Sequence, residues 1–227
     1  MGLTASIQLS SKCRSVRAGL YQWTNTRNGQ GAALQDPVAQ GNKIWAFVSR
    51  NFISNYWIYR CFVFIDLSGI PVAPMINAAH LKLWVELKGS EIGATNGFVI
   101  TPGHQSDPVV TSDFDTGPPW TQRDDNTVYG KLNQPDITAG QYNKINFNAT
   151  GLTALAAAAG GEIRLCLRGI ADNNDTGGTI AAGSSEGIRF HTVDESGKEP
   201  SLEITDYVAP AGGRGSVAHH LLKGAFI

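Results

Sequence analysis

Along most of this chain, hydrophobic and polar residues alternate in short runs broken by turn-forming clusters, the pattern of a β-sandwich or barrel. Residues 44–48 (IWAFV), 56–67 (YWIYRCFVFIDL), 80–87 (HLKLWVEL), 97–100 (GFVI), 143–148 (NKINFN), 162–169 (EIRLCLRG), 187–191 (GIRFH) and 200–207 (PSLEITDY) each predict a strand. In 80–87, Leu81, Leu83, Val85 and Leu87 share one face, and Lys82, Trp84 and Glu86 share the other. In 162–168, Ile163, Leu165 and Leu167 predict a buried face, with Glu162, Arg164, Cys166 and Arg168 on a wet one. Only 59–67 is apolar on both faces, so it is expected to be a central strand covered on both sides.

That central run carries Arg60 and Asp66. Six residues apart, they point to the same face at opposite ends of a segment about 20 Å long. They cannot pair with each other, and a buried charge without a partner is too costly. Each is therefore expected to be structural. Arg60 needs an ion pair from a neighbouring strand or loop, and Asp66 suits the N–H groups of the turn at 68–71.

Helix is nearly absent: LTALAAAAGG, residues 152–161, is the one short candidate, closed by Gly160 and Gly161. Long polar loops are expected over 24–43, 101–142 and 171–186. The fold class is then all-β, an antiparallel sandwich in a single domain over 1–208. After it, APAGGRGS is a Gly/Pro linker and VAHHLLKGAFI an apolar ending, together 209–227. Val217, Leu221, Leu222, Phe226 and Ile227 make that ending a candidate anchoring tail.

Composition narrows the picture. The chain has 227 residues, is 42% hydrophobic and only 16% charged, and carries a formal charge of −1. Such a balance disfavours disorder and a non-specific nucleic-acid role. Lys12, Arg14, Arg17 and Arg27 all precede the first acid, Asp36, so a basic N-terminal arm (about 1–43) is a candidate assembly element. Cys13, Cys61 and Cys166 show neither CxxC spacing nor metal-type neighbours, and the latter two sit in apolar runs as small hydrophobes. The start reads unlike a signal peptide, and no apolar run approaches the ~20 residues of a membrane helix, so no membrane insertion is expected.

The run YRCFVFIDLSGIPVAPMINAAHLKLWVEL resembles the core of the DNRLRE domain family. The resemblance rests on Arg60, Phe64, Asp66, Leu67, Ser68, Ile70 and Pro71, then Ala79, Leu81 and Leu83. FHTVDESGKEPSLEITDY (190–207) is similar to the family's last strands and acidic loop, and 145–168 to its middle segment, so the likeness spans 45–207. It implies an antiparallel jelly-roll of the type shared with carbohydrate-binding modules, a family usually found in secreted or cell-surface proteins.

Candidate chemistry is sparse. Asp113 and Asp115 in SDFDTGPPW read as an Asx-rich turn rather than a hydrolytic pair, since glycosidase carboxylates normally face each other from separate strands. The five histidines form no zinc-type motif, and no G-x-S-x-G elbow occurs. In DNNDTGG, Asp172, Asn174, Asp175 and Thr176 echo a calcium loop, although Gly183 stands where such a loop needs Glu. Otherwise no cofactor is expected. Tyr21, Trp23 and Trp120 lie in polar, turn-rich stretches and are candidates for stacking on a sugar ring.

Two functions are expected from this reading. The first is a non-enzymatic structural protein of a virion, a phage-like capsid or tail surface module. It would be made in the host cytoplasm and anchored by its termini to other virion proteins and copies of itself. The second is a carbohydrate-binding or adhesion module of a secreted or cell-surface protein, with host-surface glycans as partners. A glycan hydrolase would need two facing carboxylates in one cleft.

Overall fold

The computed structural model describes residues 2–27, 32–35, 41–53, 55–90, 96–115, 127–174, 179–192 and 194–210. Twelve strands are joined into one antiparallel sheet: β1 (Leu3–Gln8), β2 (Arg14–Leu20), β3 (Ala33–Gln35), β4 (Lys43–Arg50), β5 (Tyr56–Asp66), β6 (Met75–Lys88), β7 (Gly97–Pro102), β8 (Gly130–Asn133), β9 (Gln141–Asn146), β10 (Glu162–Gly169), β11 (Ser185–His191) and β12 (Ser201–Val208). Three short helices interrupt them: α1 (Trp23–Arg27), α2 (Ala149–Ala158) and α3 (Ile170–Asn174). The chain is all-β and antiparallel, and every expected strand is present.

Two long strands organise the sheet. β5 pairs with β2 over Tyr56–Phe62, with β4 over Tyr56–Tyr59 and with β10 over Cys61–Asp66. Because β4 and β10 take successive stretches of β5, the sheet divides beside Arg60. β6 behaves alike, with β9 along His80–Val85 while β12 and then β11 follow Met75–Lys82 and Val85–Lys88. The sheet curls, and a bridge from Gly130 to Phe147 brings β8 back beside the end of β9.

The main core lies between the two halves. Val63, Ile65, Leu165, Leu167, Phe98 and Ile100 from one half meet Ile44, Ala46, Leu81, Leu83, Ile188, Phe190 and Leu202 from the other, all nearly or wholly buried. Burial of each such Val, Leu, Ile or Phe side chain contributes about 1.5–3 kcal/mol. The expected alternation in β6 holds through Val85, but Leu87, near the strand's end, is 39% exposed.

The outward face of β10 departs from expectation. Cys166 and Arg168 are buried, not wet. A second, smaller core covers this side: Val16, Ala18, Ile58, Phe62, Phe64 and Cys166 lie under Val109, Phe114, Ala171 and Ile180. The covering residues come from segments that read as long polar loops. β5 is thus sandwiched on both faces from Arg60 to Ile65.

Two further expectations change. The stretch expected to be a basic arm is instead part of the sheet, supplying β1, β2 and β3. The helix expected at 152–161 sits three residues earlier, because Asn148 caps it by accepting the Gly151 N–H at 2.9 Å. Gly160, at φ +83°, ends it, and the Gly160 N–H donates to the Leu67 carbonyl at 3.0 Å, which ties the helix to the end of β5. The linker begins where β12 ends at Val208, and Val217, Leu221, Leu222, Phe226 and Ile227 lie outside the described residues.

Candidate functional site

Three places combine chemistry with position: a buried charge cluster, an aromatic outer face, and the corner where the ends of the described chain meet.

The charge cluster is built on Arg60. Its even-numbered register points it away from the main core, into the second one, where it is fully buried. Nε and Nη2 donate to the two carboxylate oxygens of Asp172 at 2.8 Å each, a planar fork matched to a carboxylate. Nη1 donates to the Phe114 carbonyl, and the guanidinium lies 4.1 Å from the Phe114 ring centroid. Glu186, also buried, accepts the N–H of Ala171, at the start of α3, and that of Gly97 at 3.4 Å. Arg50 donates to the Ile180 carbonyl at 3.2 Å. Sheet side chains thus satisfy the backbone of the covering layer, which makes this an architectural centre.

Asp172 does not lie in an open loop. It belongs to α3, is fully buried, and both its oxygens receive Arg60. Asn174 is the last residue of α3, and Asp175 and Thr176 lie outside the described residues. Among the described residues, no group of three or more His, Cys, Asp or Glu is placed to hold a metal ion. Asp113 organises a turn, accepting the Ser106 N–H and hydroxyl and the Val110 N–H at 2.7–3.0 Å.

Asp66 is exposed, unlike its strand neighbours. It accepts the Ser68 N–H at 2.8 Å, and hydrogen bonds from the Ser68 side chain and backbone hold its carboxyl below the usual range. Arg60 and Asp66 therefore differ in kind, one a buried strut and the other a surface turn former.

The outer face of β4, β5, β6, β9 and β11 carries a group of aromatic rings. Trp45 stacks on Tyr59 at 5.3 Å and Trp84 meets Tyr142 edge-on at 5.1 Å. Cations already lie over these rings: Arg189 over Trp45 at 4.7 Å, Arg17 over Trp57 at 4.7 Å, Lys82 over Tyr142 at 4.5 Å. Beside them, Glu86 bridges Lys43 and Arg189, each at 2.8 Å. Glu203 joins His80 at 2.6 Å and Lys82 at 3.0 Å. Burial raises the Glu203 carboxyl, but the Lys82 and His80 hydrogen bonds outweigh it and hold the group below its ordinary value.

The expected sugar-stacking residues are Tyr21, Trp23 and Trp120. Tyr21 is 69% exposed just before α1. Trp23 opens α1, and Trp120 lies outside the described residues. The basic candidates are engaged within their own domain: Lys12 pairs with Asp107, Arg14 donates to the Ser11 and Cys13 carbonyls, and Arg17 covers Trp57.

The corner was not foreseen in the sequence. Leu3 pairs with Tyr207, and Val208 pairs with Met75, so both ends of the described chain leave the sheet side by side. Leu3, Val72, Met75 and Val208 are 49%, 71%, 60% and 46% exposed. Beside them runs a groove of about 500 Å³ between the start of β6 and α2, lined by Pro74, Met75, Ile76, Leu152, Thr153 and Ala156 among others. Among the described residues, none that lines it is charged. β1 is the outermost strand of the path and carries no charge or proline to guard its edge.

No helix among the described residues is long and apolar enough to cross a membrane. Neither a scan of protein-family models nor a search of curated proteins returns a match for this chain.

Proposed function

We propose that this chain is a non-enzymatic structural protein of a virus particle, a phage-like capsid or tail surface module that joins its neighbours through the corner where its ends emerge. One observation carries the reading. Four large apolar side chains, an unguarded edge strand and a groove whose described lining is uncharged gather beside both ends of the described chain. Exposed apolar side chains of this kind mark a contact site. The jelly-roll implied by the DNRLRE-like residues is an architecture shared by capsid and lectin domains. Cys13, Cys61 and Cys166 are buried thiols in no disulfide, and burial pushes Cys13 up to about 11. That suits assembly in a reducing compartment.

The test is sedimentation of the full chain across a concentration series. The chain is expected to associate, and Met75→Lys with Val208→Lys is expected to abolish association while leaving the melting temperature unchanged. A chain that stays monomeric at every concentration, or a double variant that associates as the parent does, refutes the reading.

The exposed ring of Tyr21 favours glycan adhesion as a second reading. It predicts binding on a glycan array that Tyr21→Ala removes.

A further inference from the structure

We infer that β1 is a pairing edge for a second copy of this chain. Two copies set their β1 strands antiparallel across a twofold axis and continue one sheet into the next. This rests on the assembly reading above and deepens it, by naming the partner and the bonds that join it.

The backbone of β1 has one satisfied side and one open side. The Leu9 N–H donates to the Pro200 carbonyl at 3.1 Å, and Ala5, Ser6, Ile7 and Gln8 lie opposite Ile204, Glu203, Leu202 and Ser201 of β12. In an antiparallel pair, only alternate residues exchange hydrogen bonds. Counting back from Leu9, those are Ile7 and Ala5, so the N–H and C=O groups of Ser6 and Gln8 point away from β12. Among the described residues no strand pairs on that side, because β1 ends the path of the sheet with β12 as its one neighbour. An open row of this kind is a template for another extended strand.

The side chains suit a strand of the same sequence. Thr4, Ser6 and Gln8 are exposed, while Ala5 and Ile7 are half-buried against the main core. Across a twofold axis each residue meets its own counterpart or a near neighbour, so a charge in the row would face a like charge. LTASIQ holds none, and no proline interrupts its donors. On the inner side, Ala5 and Ile7 of the two copies come close together and cover apolar area still half open to water.

The strands that end the sheet's other branches fit this role less well. β3 has three residues, β8 has four and carries Lys131, and β9 carries Lys144, the kind of charge that guards an edge. β1 alone of these four combines six residues with no charge. Leu3, its first residue, belongs to the exposed corner, so strand pairing and the apolar corner form one continuous contact.

The experiment compares the full chain with Ser6→Pro and Ser6→Ala by sedimentation across a concentration series. Proline is tolerated on an edge strand where its missing N–H would have faced solvent, so dilute Ser6→Pro is expected to melt as the parent does. It is expected to associate at least about 10-fold more weakly, roughly the worth of one backbone hydrogen bond. Ser6→Ala keeps the N–H and is expected to associate as the parent does. Amide exchange of the parent is read beside these variants and decides the matter if Ser6→Pro does not fold. The Ser6 and Gln8 N–H groups are expected to exchange about 10-fold more slowly once the chain associates, with Ile7 slow throughout. Ser6→Pro associating as the parent does, or Ser6 and Gln8 exchanging fast in the associated state, overturns β1 pairing while the corner reading stands. Ser6→Ala associating as weakly as Ser6→Pro would place the contact in the side chain and overturn it. Slow exchange of both amides at every dilution would put a segment of the same chain on the edge, and overturn it as well. A parent that stays monomeric throughout removes both readings.

Discussion

Replacing Arg60 with Met tests how the outer layer is held. Arg60 and Asp172 are both fully buried, with two 2.8 Å hydrogen bonds between them and a third from Arg60 to the Phe114 carbonyl. Met fills much of the volume but donates nothing, so the buried Asp172 carboxylate loses both of these charged hydrogen bonds. Breaking a buried pair from one side costs about 3–5 kcal/mol. Asp172→Leu added to Arg60→Met removes that buried charge, and replacing both partners by apolar groups is often neutral. The Phe114 carbonyl remains unpaired in both variants, at about 1–3 kcal/mol, so recovery is partial. Urea unfolding followed by tryptophan fluorescence reads this directly. With a slope of about 2–3 kcal/mol/M, the single variant's midpoint falls by about 1–2 M and the double variant regains more than half. A single variant within about 1 kcal/mol of the parent, or a double variant no better than the single, would refute the account.

His191 and Gly187 offer two further checks. Burial, helped by the nearby charge of Lys198, holds His191 below the ordinary imidazole value, against the opposing pull of Glu195 and Glu86, and its Nδ1 has no hydrogen-bond partner among the described residues. A lowered folded value means stability that is present above about pH 6.5 and lost as pH falls through the folded value. His191→Gln should therefore flatten the decline of melting temperature between pH 7 and 5, and an unchanged slope would exclude this residue as its source. Gly187 has φ +102°, and a Cβ there would meet the Ala46 carbonyl oxygen at 2.1 Å. Gly187→Ala should lower stability by about 1–3 kcal/mol, whereas a variant as stable as the parent in urea would show that the β4–β11 pairing relaxes freely.

Eight strands were legible because each combines β-branched or aromatic residues with a two-residue period, as in HLKLWVEL. The strands that escaped lack that contrast. β1 (LTASIQ) and β2 (RSVRAGL) are built largely of small or polar residues, and β3 and β8 have three and four residues. They form because a neighbour supplies the edge: β2 is templated by β5 from Tyr56 to Phe62. Such a tertiary cause leaves little periodicity to read. The corner escaped for a similar reason, since the Leu3–Tyr207 and Val208–Met75 neighbourhoods join residues remote in sequence.

The outer layer shows how a sequence signal was present but spread over the chain. An arginine in a strand apolar on both faces requires a carboxylate from elsewhere, and few carboxylates sit among apolar neighbours as Asp172 does after Ile170 and Ala171. Its surroundings, DNNDTGG, pointed to calcium because oxygen donors at alternate positions suit a cation. The cation it meets is the guanidinium of Arg60. Phe114, set between Asp113 and Asp115, gave the same kind of clue: an aromatic in a polar loop must be covered or must cover something. Here it lies over Arg60, and its own carbonyl receives the same guanidinium. One side chain thereby holds two otherwise polar segments onto β5. The strut acts beside the burial of Val109, Phe114, Ala171 and Ile180, and loss of Arg60 should loosen 105–115 and α3 before the main core yields.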